Sequence, residues 1–251
     1  MNHCLAGILF DLDETLLDRS GTLQRYAAVL FSDFENSARI GFDEFDRLVT
    51  ELDDHGVTPR EAFFAGLADA AFPDIAAKAL EDHFYAHAWS NPIPFPGVVD
   101  CLTEFRAKGI PTGIVTNGGI RSQSAKIRNS GVGSLVDAYL ISEEFGIRKP
   151  EPEIFLHISE FLQIDPARSW FVGDDPVRIS LEHRAWGSGR FGWKDTCLGQ
   201  LTIESATISR PVKCQRLPLS CSLLPNKLLQ RAVRDKVPKA SPGHAAAELR
   251  R

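Results

Sequence analysis

Leu5-Ala6-Gly7-Ile8-Leu9-Phe10-Asp11-Leu12-Asp13-Glu14-Thr15 is the stretch on which the fold turns. A short apolar run with no polar interruption suits a strand buried on both faces, as in parallel sheets covered by helices. The run ends abruptly in acid, at the carboxyl end of the strand, where α/β sheets place their ligands. Leu12 between Asp11 and Asp13 keeps both carboxylates on one exposed loop.

From about Ser20 to Trp89 the period becomes helical, beginning with Leu23, Tyr26, Ala27, Leu30, Phe31 and Phe34 on one face. Further helices are predicted over Phe42 to Leu52, from Thr58-Pro59-Arg60-Glu61 through Phe72, with a capping box and proline at the first helical position, and over Ile75 to Trp89. Asn91 to Gly97, with three prolines, breaks the pattern and reads as a hinge. After it helix and strand alternate: helix Val98–Lys108, strand Ile110–Val115, a helix around Gln123–Asn129, strand Ala138–Ile141, helix Glu151–Leu162 and strand Ser169–Val172. That rhythm gives an α/β fold, a Rossmann-like parallel sheet with an inserted α-helical cap subdomain. The expected parts are a core of 1–17 plus 95–178, a cap of 18–94 and a divergent basic tail of 179–251. Three strands end in polar groups at the same sheet edge: Asp11 and Asp13, then Thr116-Asn117-Gly118, then Gly173-Asp174-Asp175.

Those groups, with Lys149-Pro150 between the second and third, resemble the four ordered motifs of the haloacid dehalogenase superfamily, in its branch with a helical cap after the first motif. The resemblance covers residues 5–178. It implies a phosphohydrolase in which Asp11 attacks phosphorus to form an aspartyl-phosphate, while Asp13 protonates the leaving oxygen and then activates water. It also implies Mg²⁺ held by Asp11, Asp174 and the backbone carbonyl at Asp13. Phosphate would be bound by the Thr116 hydroxyl, the Asn117 and Gly118 amides and the Lys149 ammonium. The physical case is independent of the resemblance: a carboxylate attacking a dianionic ester needs a cation to suppress repulsion, and covalent capture splits one hard displacement into two easier ones. Small phosphorylated metabolites, such as a sugar phosphate or nucleotide monophosphate, are the expected substrates. A haloacid dehalogenase is the alternative chemistry, although Asp13 and Asp174 favour phosphate.

Other features have plainer readings. Asp18 and Asp175 read as turn formers or helix caps, and Thr15 as a residue that orders its loop. His83 and His87, four apart beside Glu81 and Asp82, have a spacing zinc could use but read as a solvated helix face. Phe84, Tyr85 and Trp89 read as cap core. Five cysteines, odd in number and without paired spacing, argue against a disulfide framework. No apolar run approaches the roughly 18 residues of a membrane span, and the first residues do not read as a signal peptide, so a cytoplasmic protein is expected.

The net charge of −5 hides an asymmetry. Residues 1–178 carry 15 Lys and Arg against 28 Asp and Glu, and residues 179–251 carry 13 against 5. An acidic body does not suggest nucleic-acid binding, and the tail's scattered cations lack aromatic interleaving. Position 179 is Ile179, where the resembled family has an aspartate five residues after its counterpart of Asp174. Beyond it periodicity fades, with Leu223–Val233 as one candidate amphipathic helix. Reading Ile179 to Gly187 one base earlier can give a string beginning DISGA, and Trp193 to Gln200 can give LERHMPWP. A shifted reading frame after Arg178 is therefore the expectation, with a truly divergent tail and a catalytically impaired chain as its alternatives.

Overall fold

The computed structural model describes residues 5–174 and the backbone of residues 189–192. Asp175, the site of the frame change and the candidate helix at Leu223–Val233 lie outside the described residues. Five parallel strands form the main sheet: β1 Gly7–Phe10, β4 Thr112–Thr116, β5 Ala138–Ile141, β6 Ser169–Gly173 and β7 Gly189–Gly192, in the order β5-β4-β1-β6-β7. β1 is buried throughout, as an uninterrupted apolar run demands. Its alternate side chains feed two cores. Ile8 and Phe10 join Val98, Cys101, Leu102 and Phe105 of α5 (Val98–Ala107) and Ile127 of α6 (Ile120–Asn129) on one face. On the other, Leu9 joins Ile154, Phe155 and Ile158 of α8 (Pro152–Leu162).

The chain builds outward from β1 through β4 to β5, then crosses to β6 on the opposite side. The order reverses between β1 and β6, and ligands of open α/β sheets bind at such a switch point, beyond the carboxyl ends of the strands. The sequence predicts no strand after Arg178, yet the backbone of β7 pairs with β6 from Trp170↔Gly189 to Gly173↔Gly192. An open strand edge carries unpaired N–H and C=O groups, and satisfying them asks for backbone rather than a particular side-chain pattern. The backbone of residues 189–192 thus covers the outer edge of β6.

The insertion consists of α1 (Arg19–Phe34), α2 (Phe42–Asp53), α3 (Arg60–Ala70) and α4 (Ala77–His87), packed on a separate aromatic-rich core. The α3 helix opens later than predicted: Pro59 is its N-cap and no side chain caps it, so the expected capping box does not form. Both linkers to the cap are tied by a ribbon too short to read from sequence, β2 (Leu17–Asp18) antiparallel to β3 (Ile93–Pro94). Among the described residues no helix is long and apolar enough to cross a membrane.

Candidate active site

The carboxyl edge of the sheet collects the expected residues. Asp11 follows β1, its Oδ1 accepting from the Leu12 amide at 2.7 Å and its Oδ2 lying 2.7 Å from the Lys149 ammonium. Lys149 is only 4% exposed at its side chain and also faces the Phe171 ring, 5.0 Å from its centroid. What places it is Asn117, at the end of β4. The Asn117 amide donates to the Lys149 carbonyl at 3.0 Å, and the Lys149 amide donates back to Asn117 Oδ1 at 2.9 Å. One side chain thus stitches the lysine's loop to the neighbouring strand end.

Asp13 has partners that the sequence reading missed. Lys126 of α6 donates to both of its carboxylate oxygens at 2.8 Å, and Gln123, one helical turn earlier, donates to Oδ2 at 3.0 Å. Both side chains are buried, Lys126 at 3% exposure and Gln123 at 2%. Burial works to raise the Asp13 pKa, but the ammonium of Lys126, the guanidinium of Arg19 and the hydrogen bonds outweigh it and hold the group below its usual range. The available signal was an i, i+3 pair of polar residues on the helix that follows Thr116-Asn117-Gly118.

Thr116 ends β4 almost fully buried, and its hydroxyl accepts from Gln123 at 2.9 Å, which leaves its own proton for another acceptor. Gly118 has φ +147°, in the region that favours glycine, and a Cβ there would lie 2.8 Å from Gln123 Nε2. Its amide donates to Ser142 Oγ at 3.1 Å, so a substrate oxygen would have to displace that partner. Asp18 caps α1 by accepting from the Gly21 amide, as read from sequence. The Thr15 hydroxyl is buried with no hydrogen-bond partner among the described residues. His83 does not join a metal cluster; it bridges the Tyr26 hydroxyl at 3.1 Å and Asp33 at 2.9 Å inside the cap. No group of three or more His, Cys, Asp or Glu placed to hold a metal occurs among the described residues.

Asp174 follows β6 across the switch point from Asp11. Its desolvation first, and then the charge of Asp11, push its carboxyl above the ordinary range. No ion pair or hydrogen bond joins its side chain to another described side chain. Two acceptor-only carboxylates, one with a lysine and one without, suit a hard cation bound through oxygen, so the residues present fit Mg²⁺.

The match to known proteins agrees with this geometry. Residues 5–180 fit the model of the haloacid dehalogenase-like hydrolases, most of the chain, and the protein belongs to that hydrolase family. It is similar to glyceraldehyde 3-phosphate phosphatase of Methanopyrus kandleri, 32% identical over 100 residues, or 40% of this chain and 42% of that one, so this match spans less than half of the relative. Hexitol phosphatase A of Escherichia coli is 28% identical over 174 residues, 69% of this chain and 76% of that one. Among solved structures, a magnesium-bound hydrolase of the same superfamily from Bacillus subtilis superposes with a TM-score of 0.56 at 21% identity, over 73% of this chain and 84% of that one. A defluorinating L-2-haloacid dehalogenase superposes at 0.57 with 17% identity, over 72% and 78%.

Proposed function

We propose that the chain hydrolyses small phosphate monoesters, with Asp11 as the nucleophile. The observation that carries the reading is the Asp11–Lys149 pair at 2.7 Å beside Asp13 and Asp174, at the switch point of a parallel sheet. Asp11 attacks phosphorus and the ester oxygen leaves, giving an aspartyl-phosphate that water then hydrolyses. Lys149 sits where negative charge gathers on the transferring group, and the free proton of Thr116 is available to a phosphoryl oxygen. The dianionic ester beside Asp13 raises its proton affinity, so that it carries a proton to the leaving oxygen in the first step and, then ionised, takes one from the attacking water in the second. Asp11, Asp174 and the carbonyl of Asp13 would hold Mg²⁺, which would neutralise charge between carboxylates and phosphate. The phosphatases among the relatives support the substrate class.

A dehalogenase reading is weaker, because displacement of halide from carbon needs neither a paired acid at Asp13 nor a second carboxylate at Asp174. The test is hydrolysis of p-nitrophenyl phosphate by the whole chain, with Mg²⁺ and with EDTA, beside Asp11→Asn. Turnover that requires the metal and Asp11 is the expected result. Metal-free halide release from a 2-haloacid, without ester hydrolysis, would replace this reading with the dehalogenase. Absence of both activities would match the impaired chain that the break at Ile179 raises.

A further inference from the structure

Lys126 is buried, and its ammonium has two neighbours of different kinds. It donates to both oxygens of Asp13 at 2.8 Å, and it lies 4.2 Å from the centroid of the Trp89 ring, just beyond the last cap helix. Trp89 is itself 3% exposed, and its carbonyl accepts from Asn129, one turn further along α6, at 2.6 Å. Gln123 closes the arrangement from the other side, its single amide nitrogen within 3.0 Å of Asp13 Oδ2, Thr116 Oγ1 and the Asn117 carbonyl. Three residues of α6, at 123, 126 and 129, therefore line one side of the helix and link Asp13, the end of β4 and the base of the cap. A bidentate contact from a lysine fixed on an indole leaves the carboxylate little rotational freedom. A carboxyl group held in this way costs less orientation when, protonated beside a bound dianion, it must meet a leaving oxygen within hydrogen-bond reach.

We infer that Lys126 is a positioning residue for this reaction, holding Asp13 in line with the leaving oxygen while it is itself seated on Trp89 at the base of the cap. The inference rests on the phosphohydrolase reading above and assigns Lys126 no contact with substrate. Its consequence falls on one step. Esters of weakly acidic phenols need a proton as they leave, whereas esters of strongly acidic phenols depart without one. Misplacing Asp13 should therefore penalise the first kind and spare the second.

The experiment measures kcat/KM for a series of substituted phenyl phosphates, from phenyl to dinitrophenyl, with the whole chain and Mg²⁺. Lys126→Met keeps the stem length and removes the charge. For it, phenyl phosphate should lose about 100-fold, the lower end of what general acid catalysis contributes, and dinitrophenyl phosphate less than about threefold. Lys126→Arg, which can still reach both oxygens of Asp13, should recover most of the shallow dependence. If Lys126→Met does not fold, Lys126→Gln reads the same slope and should lie between wild type and the full effect. Equal losses across the series, or none, would overturn the inference while leaving the hydrolase intact. A wild-type chain without turnover, or Asp11→Asn as active as wild type, would instead take down the functional reading and this inference with it.

Discussion

On the proposed phosphohydrolase reading, Asn117→Ala separates the placing of Lys149 from its presence. The substitution deletes two hydrogen bonds, at 3.0 and 2.9 Å, and leaves the part-buried amide and carbonyl of Lys149 without protein partners. Each bond contributes about 1 kcal/mol net, a figure that already counts exchange with water, so roughly 2 kcal/mol of stability should go. In a domain of this size that lowers Tm by about 4–8 °C. Activity should suffer out of proportion. The Lys149 ammonium meets Asp11 at 2.7 Å, and a displacement of about 1 Å at a reacting centre costs on the order of 100-fold. Thermal melts and kcat/KM on p-nitrophenyl phosphate with Mg²⁺ measure both on the same sample. A variant that melts lower but keeps kcat/KM within about threefold would show that Asn117 does not place the lysine for chemistry. An unchanged melt would show that the paired hydrogen bonds contribute nothing to the fold.

Two further expectations concern the cap. Phe84 is fully buried, with the rings of Tyr26, Phe63, Phe64, Tyr85 and Trp89 at centroid distances of 5.3 to 6.2 Å, so Phe84→Ala should cost about 3–5 kcal/mol, read as a loss of Tm or of denaturant midpoint. Asp53 is buried between Arg19 at 2.8 Å and Arg60 at 3.1 Å; burial alone would raise its carboxyl, and the two guanidiniums hold it below its ordinary 3.8. The depressed folded value means that this pair stabilises the protein above the unfolded pKa and loses its contribution as pH falls from about 5 toward and through the folded value. Asp53→Asn should accordingly melt lower at neutral pH and show a shallower fall in Tm on acidification; parallel slopes would refute the assignment.

The core was legible because its signals are redundant. Burial of β1 on both faces requires an unbroken apolar run, and Gly7 to Phe10 has one. Ala138–Ile141 and Ser169–Val172 announce themselves in the same way, and the structure's strands begin at the same residues. The β2–β3 ribbon was invisible for the opposite reason: two residues per strand carry no period, and its pairing depends on where the ends of the cap return. The short helix α7 (Ser142–Phe145) was missed too, since one turn of helix offers no repeating face. Its cost to the reading was real, because Ser142 takes the Gly118 amide that the resemblance assigns to phosphate.

The site was legible in its acids and opaque in their partners, and the reason is electrostatic. A carboxylate at a strand end is visible from its neighbours in sequence, whereas the cation that balances it comes from elsewhere in the chain: Lys149 lies 138 positions from Asp11, and Lys126 lies 113 from Asp13. Matching them leaves a remainder. Asp11 has Lys149 and Asp13 has Lys126, but Asp174 has no ion-pair partner among the described residues, and burial first, then the nearby charge of Asp11, raise its pKa. An unmatched carboxylate beside a matched one is where an external cation gains most, since both charges attract it and only one is already compensated. Asp174→Asn should therefore raise the Mg²⁺ concentration for half-maximal hydrolysis at least about tenfold, the usual effect of one charged ligand lost at roughly 1.4 kcal/mol per decade. Lys126→Met, by contrast, should leave that concentration unchanged. If both variants shift the Mg²⁺ requirement equally, the two carboxylates share one compensating field, and the division of acids into lysine-matched and metal-matched is wrong.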